Sequence, residues 1–104
     1  MSISTHVLDA GHGRPAAGIA VRLERRTDGG WQPVAGGSTD ADGRIGSLAA
    51  QLQAGVHRLI FDTARLSEFY PEVVITFTVA DPDEHYHVPL LLSPFAYSTY
   101  RGSR

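Results

Sequence analysis

Val73-Val74-Ile75-Thr76-Phe77-Thr78-Val79 is an unbroken run of β-branched and aromatic residues, the clearest strand in the chain. Pro71 stands before it, and Asp81-Pro82-Asp83 turns the chain behind it. The segment from His85 to Leu92 then returns as a second strand, and Tyr97 to Tyr100 extends the pattern past Pro94. Upstream, Val56 to Phe61 places His57, Leu59 and Phe61 on one side and Val56, Arg58 and Ile60 on the other. Asp62 or Thr63 is placed to cap one short helix, roughly Ala64 to Phe69, ended by Pro71.

The first half of the chain continues the same pattern. Ile3 to Leu8 is β-prone, and Ile19-Ala20-Val21-Arg22-Leu23-Glu24 alternates strictly, with Ile19, Val21 and Leu23 on one face. Asp28-Gly29-Gly30 reads as a hairpin turn, with the return strand starting from Trp31 to Val34. The glycine-rich stretch Arg25 to Gly37 carries no chemical motif. Asp40-Ala41-Asp42-Gly43 forms a further turn leading into Arg44-Ile45-Gly46-Ser47-Leu48. Seven or eight strands and one helix in 104 residues predict an all-β, two-sheet sandwich, a single domain spanning 1–104.

Composition narrows the function. Hydrophobic residues make up 42% and charged ones 19%, which describes a globular chain and not a disordered one. A formal net charge of −2 argues against a nucleic-acid or anionic-membrane partner. All nine basic residues are arginine, so Schiff-base chemistry is excluded and planar anions are favoured as ligands. With no cysteine there is no disulfide, no thiol catalysis and no Cys-based zinc site. Met1 to His6 lacks a basic region followed by an apolar run, so no signal peptide is expected and the cytosol is the default. No stretch approaches the ~18 apolar residues of a membrane span.

The return strand is apolar on both faces. Tyr86, Val88, Leu90 and Leu92 form a core face, while His85, His87, Pro89 and Leu91 point the other way. An outer face carrying Pro89 and Leu91 calls for cover by another subunit, with His87 at that junction. The chain end, Tyr100-Arg101-Gly102-Ser103, follows this strand closely and groups a phenol, a guanidinium and a hydroxyl.

Two sets of residues carry a family resemblance. One is Thr5-His6-Val7-Leu8-Asp9, Gly13-Arg14-Pro15-Ala16 and Thr39-Asp40-Ala41-Asp42-Gly43-Arg44. The other is His85-Tyr86-His87-Val88-Pro89-Leu90-Leu91-Leu92-Ser93-Pro94 with Tyr97-Ser98-Thr99-Tyr100-Arg101-Gly102-Ser103. Together they resemble the 5-hydroxyisourate hydrolases, the purine-catabolic branch of the transthyretin family, over essentially the whole chain. Leu-Ser-Pro and Tyr-Ser-Thr are shared with hormone-carrying transthyretins. His6, Arg44, His87 and the terminal Tyr-Arg-Gly-Ser set the hydrolases apart.

The resemblance implies a transthyretin-like sandwich that pairs into dimers and then into a homotetramer, with sites at the dimer–dimer interface. It implies that water opens the six-membered ring of 5-hydroxyisourate at the N1–C6 bond, giving 2-oxo-4-hydroxy-4-carboxy-5-ureidoimidazoline in urate catabolism. No cofactor or metal is needed, only a placed water, a base and donors for the developing oxyanion. His6 and His87 are the candidates for base and proton donor, since histidine titrates near neutrality. Arg44 and Arg101 suit the planar, acidic ring as bidentate donors. Tyr100 is expected to contact substrate and Ser103 to orient water or substrate; Arg104 follows where the family commonly ends at that serine. His85 shares the face of His87 but lies nearer the turn and reads as a rim residue. His12 and His57 read as structural or solvated. The alternatives are a non-catalytic carrier of a small aromatic ligand, and a zinc site built from His85, His87 and His6.

Overall fold

The computed structural model describes residues 3–102, which form two sheets and no helix. Ten strand segments run in order: β1 Ile3–Asp9, β2 Arg14–Pro15, β3 Ala20–Thr27, β4 Gly30–Ser38, β5 Arg44–Ala49, β6 Gly55–Asp62, β7 Glu72–Val79, β8 Tyr86–His87, β9 Leu90–Ser93 and β10 Ala96–Thr99. One sheet has the order β4-β3-β6-β7. The other is built around β1, which pairs antiparallel with β2 and β5 and parallel with β8 and β9, with β10 beyond β9. Their inner faces meet in one core of alternating residues, among them Ile3, Val7, Leu23, Leu59, Phe61 and Leu90, each fully buried.

The glycine-rich stretch 25–37 is strand on both sides of a tight turn, with a register shift at Val34. β3 and β4 pair through Thr27↔Gly30, leaving Asp28-Gly29 as a two-residue loop. β4 lies at the sheet edge, where a proline such as Pro33 is tolerated. His57 is buried on the core side of β6, its Nδ1–H donating to the Gly55 carbonyl at 3.1 Å. Burial lowers its pKa, so it is a neutral structural group.

The expected helix at Ala64 to Phe69 does not form. The segment makes a single turn, closed by Leu66 and Ser67 amides on the Thr63 carbonyl. The Ser67 hydroxyl then accepts from the amides of Phe69 and Tyr70 at 3.2 and 2.9 Å and donates to the Pro94 carbonyl at 2.7 Å. Those amides would have continued a helix, and a serine side chain takes them instead.

The return strand is also interrupted. β8 and β9 pair with β1 at one constant offset, Ile3↔Tyr86 and Ser4↔His87, then Val7↔Leu90. Pro89, which has no N–H, breaks the ladder between them. The Thr5 hydroxyl bridges the gap by donating to the Val88 carbonyl at 2.7 Å. Register is therefore kept across the break, and side-chain parity with it.

The loop before β5 is tied to β1 through the backbone of Gly43. Gly43 sits at φ 76°, its amide donates to Asp40 O at 2.9 Å, and its carbonyl accepts from Val7 N at 2.7 Å. A Cβ at this position would lie 2.5 Å from the Val7 carbonyl oxygen. Gly43→Ala combines a strained φ with a backbone clash, so it is expected to cost at least ~2 kcal/mol. Denaturant titration of the two proteins measures that difference.

Candidate active site

β1 sets the geometry. Ile3, Thr5 and Val7 point inward and are buried, so Ser4 and His6 point to the outer face of the sheet. His6 lies directly opposite Arg44 on β5, and Ser4 beside His87 on β8. Three strands far apart in sequence thus place Ser4, His6, Arg44 and His87 around one open groove of about 250 Å³. Ile45 and Gly46 line it as well, and beyond the missing Gly46 side chain there is only open space.

Each polar group is held by a specific partner. His6 Nε2 donates to the Asp42 carbonyl at 2.9 Å, which leaves Nδ1 as its free ring nitrogen. Asp40 organises the same loop, its Oδ1 accepting from the amides of Asp42 at 2.9 Å and Arg44 at 3.0 Å. The Arg44 side chain itself is exposed at the groove rim. His87 Nδ1 meets Ser4 Oγ at 2.8 Å. On its other edge Gly102 covers the ring: a Cβ there would lie 2.5 Å from Cδ2, and the Gly102 amide donates to His87 O at 2.7 Å. Any larger residue at 102 would push the imidazole aside.

Burial pushes the pKa of His87 below its ordinary value of 6.5, and electrostatic repulsion from the neighbouring His6, His85 and Arg44 side chains acts in the same direction. A hydrogen bond to Ser4 opposes them. His87 is therefore a neutral imidazole at pH 7, able to accept a proton.

Tyr100 and Arg101 stand apart from this groove within one chain. They line a separate depression between β7, β8 and β10 with Ile75, Phe77 and Tyr86. The Arg101 guanidinium stacks on Tyr86 at 4.5 Å and pairs with Glu84 at 3.3 Å, while Tyr100 is 58% exposed. Ser103 lies outside the described residues, as does Arg104. His85 belongs to the cluster, its Nε2 standing 2.9 Å from Ser4 Oγ. Nothing in the sequence singles out Ser4 itself; the only signal is that it shares strand parity with His6. Among the described residues, no group of three or more His, Asp or Glu side chains is arranged to hold a metal ion. His12 pairs with Asp9 at 2.9 Å, away from the groove.

Residues 3–102 match the HIUase/Transthyretin family. The chain belongs to this family. It is 46% identical over 109 residues to a 5-hydroxyisourate hydrolase of Salmonella dublin, covering 97% of this chain and 80% of the relative. Its fold superposes on that of 5-hydroxyisourate hydrolase from Klebsiella pneumoniae with a TM-score of 0.85 at 35% identity, over 99% of this chain and 100% of the other. Sea bream transthyretin in complex with thyroxine is equally similar in fold, with a TM-score of 0.90 at 36% identity over 100% and 97% of the two chains. Backbone likeness within the family therefore does not separate a hydrolase from a thyroxine-bound transthyretin; the groove residues must.

The electrostatic origin of the His87 shift is open to measurement. Arg44→Gln removes one cation from the groove, so the His87 titration midpoint, below 6.5 in the native protein, is expected to move upward. NMR titration of the imidazole resonances reads the shift directly, and an unchanged midpoint would remove Arg44 from its causes.

Proposed function

We infer that the chain hydrolyses 5-hydroxyisourate, and that His6, Arg44 and His87 form the reacting groove. The observation that carries this reading is a neutral His87 held beside an exposed guanidinium and a second imidazole. A carrier of apolar aromatic ligands has no use for that set, whereas ring opening by water needs each member.

The chemistry follows from the contacts. With Nδ1 engaged by Ser4 and the Cδ2 edge under Gly102, His87 offers Nε2 to the groove. That nitrogen takes a proton from water as the oxygen attacks C6. Arg44 faces the anionic ring and neutralises charge as it develops on the carbonyl oxygen. As the C6–N1 bond breaks, the leaving N1 takes the proton held on His87 Nε2, and His6, with Nε2–H committed to Asp42, offers Nδ1 as an acceptor to position the reacting groups. A base or acid placed this way contributes roughly 10² to 10⁴ in rate.

Tyr100, Arg101 and Ser103 enter this reading through assembly. β10 is an exposed sheet edge, and Phe95 and Phe69 close by are 76% and 63% exposed. Edge strands and clustered aromatics of this kind favour pairing with a second copy. Leu91, on the same outer face as His87, is also incompletely buried. A homotetramer that covers this face would bring chain ends toward grooves of neighbouring subunits, where Arg101 and Tyr100 would contact substrate and Ser103 would orient water.

Urate oxidised in situ by urate oxidase provides the assay. Loss of the hydroxyisourate absorbance is expected to accelerate when this protein is added, and a decay at the spontaneous rate would refute the activity. His87→Ala and His6→Ala are each expected to lower the rate at least ~10²-fold. Light scattering is expected to return about four times the 11.2 kDa chain mass, and a fully active monomer would contradict the shared groove.

A further inference from the structure

Ser4 makes two hydrogen bonds that one hydroxyl hydrogen cannot supply. Its Oγ is 2.8 Å from His87 Nδ1 and 2.9 Å from His85 Nε2. Each contact needs a hydrogen between the heavy atoms, and a serine hydroxyl carries only one. At least one imidazole must therefore donate its N–H to Ser4. The protonation of the two histidines is linked through a residue that is not itself a histidine.

Two arrangements of the neutral cluster satisfy both contacts with the Ser4 hydroxyl hydrogen placed in one of them. In one, Ser4 donates to His87 Nδ1 and receives from His85, which forces the His87 proton onto Nε2. In the other, His87 Nδ1–H donates to Ser4, and Ser4 donates to His85 Nε2. Of these two, only the second leaves a lone pair on the nitrogen that faces the groove. A general base needs that lone pair, so the reading of His87 as the base selects the second arrangement. The backbone geometry is rigid enough to hold this choice: Ser4 and His87 are paired residues on adjacent strands, and the Val88 amide donates to Ser4 O at 3.0 Å.

We propose that Ser4 is a positioning residue for the hydrolysis, holding neutral His87 in the Nδ1–H form with His85 as the acceptor of the Ser4 hydroxyl. His85 is then part of the machinery at one remove, through Ser4. The assignment rests on the reading of His87 as the base. The charged and titratable groups around His87 are His6 on β1, Arg44 on β5, His85 just before β8, and the Glu84–Arg101 pair beyond it. A carboxylate would stabilise imidazolium, whereas the Ser4 hydroxyl orders the ring without charging it. Both edges of the imidazole are thus constrained, one by the Ser4 hydroxyl and one by Gly102.

The imidazole 15N resonances of the unliganded protein test the assignment without any substitution. Neutral His87 is expected to carry its proton on Nδ1. In Ser4→Ala the proton is expected to redistribute toward Nε2, with kcat for hydroxyisourate lowered at least ~10-fold and KM changed by less than ~3-fold. Ser4→Thr, which restores a hydroxyl, is expected to recover both the tautomer and kcat. His87 protonated on Nε2 in the native protein would overturn the proposal. So would Ser4→Ala with native tautomer and kcat, or a variant in which only one of the two changes. A native protein without hydrolytic activity would instead refute the proposed function, and the resonances would still decide the hydrogen-bond assignment.

Discussion

The structure depends on the burial of β1 in the middle of its sheet. The strand is hydrogen-bonded on both edges, to β2 and β5 on one side and to β8 and β9 on the other. Ile3 and Val7 fill the core beneath it. A slip of one residue would expose both and bury His6, so the apolar set fixes the register of the polar one. Every member of the groove is defined against this strand: His6 and Ser4 belong to it, and Arg44 and His87 are its direct neighbours. Even the polar residue on its inner face, Thr5, is satisfied, and its hydroxyl carries the sheet past Pro89.

Around that strand, glycine and aspartate shape the groove where side chains would obstruct it. Gly43 lets the loop backbone reach Val7, and Asp40 gathers the amides of Asp42 and Arg44. The result presents one carbonyl to His6 and one guanidinium to the open face. Gly102 does the same on the far side, where only a residue without a side chain fits against His87. A backbone carbonyl thus orients His6, and the Ser4 hydroxyl with Gly102 orients His87, while their remaining nitrogens face the groove.

Much of the sandwich was legible because its strands are strongly patterned. The run Val73 to Val79, the alternation from Ile19 and the Asp-Gly turns each have a single local reading, and all reappear as strands and turns. The helix at 64–69 failed because one side chain, Ser67, outcompeted the backbone carbonyls for two amides. That competition depends on the Pro94 carbonyl, far away in sequence, which fixes the serine rotamer. The break at Pro89 was implicit in the missing N–H, yet the constant offset on both sides of it required the neighbouring strand.

By itself, the sequence determined the all-β class, the outward parity of His87 and the residue types that mark the hydrolase branch of the family. Those are local properties, carried by side-chain period and chemistry. Tertiary structure decided which residues meet. Positions 4, 6, 44 and 87 share a groove only because β1 pairs with strands from the middle and end of the chain. It also gave His85 and Ser4 a place beside His87, and turned the Tyr100 and Arg101 side chains of the same chain toward a different depression. Pairing across 83 residues leaves no trace in periodicity, because hydrogen-bonding partners on adjacent strands need share no pattern beyond their parity.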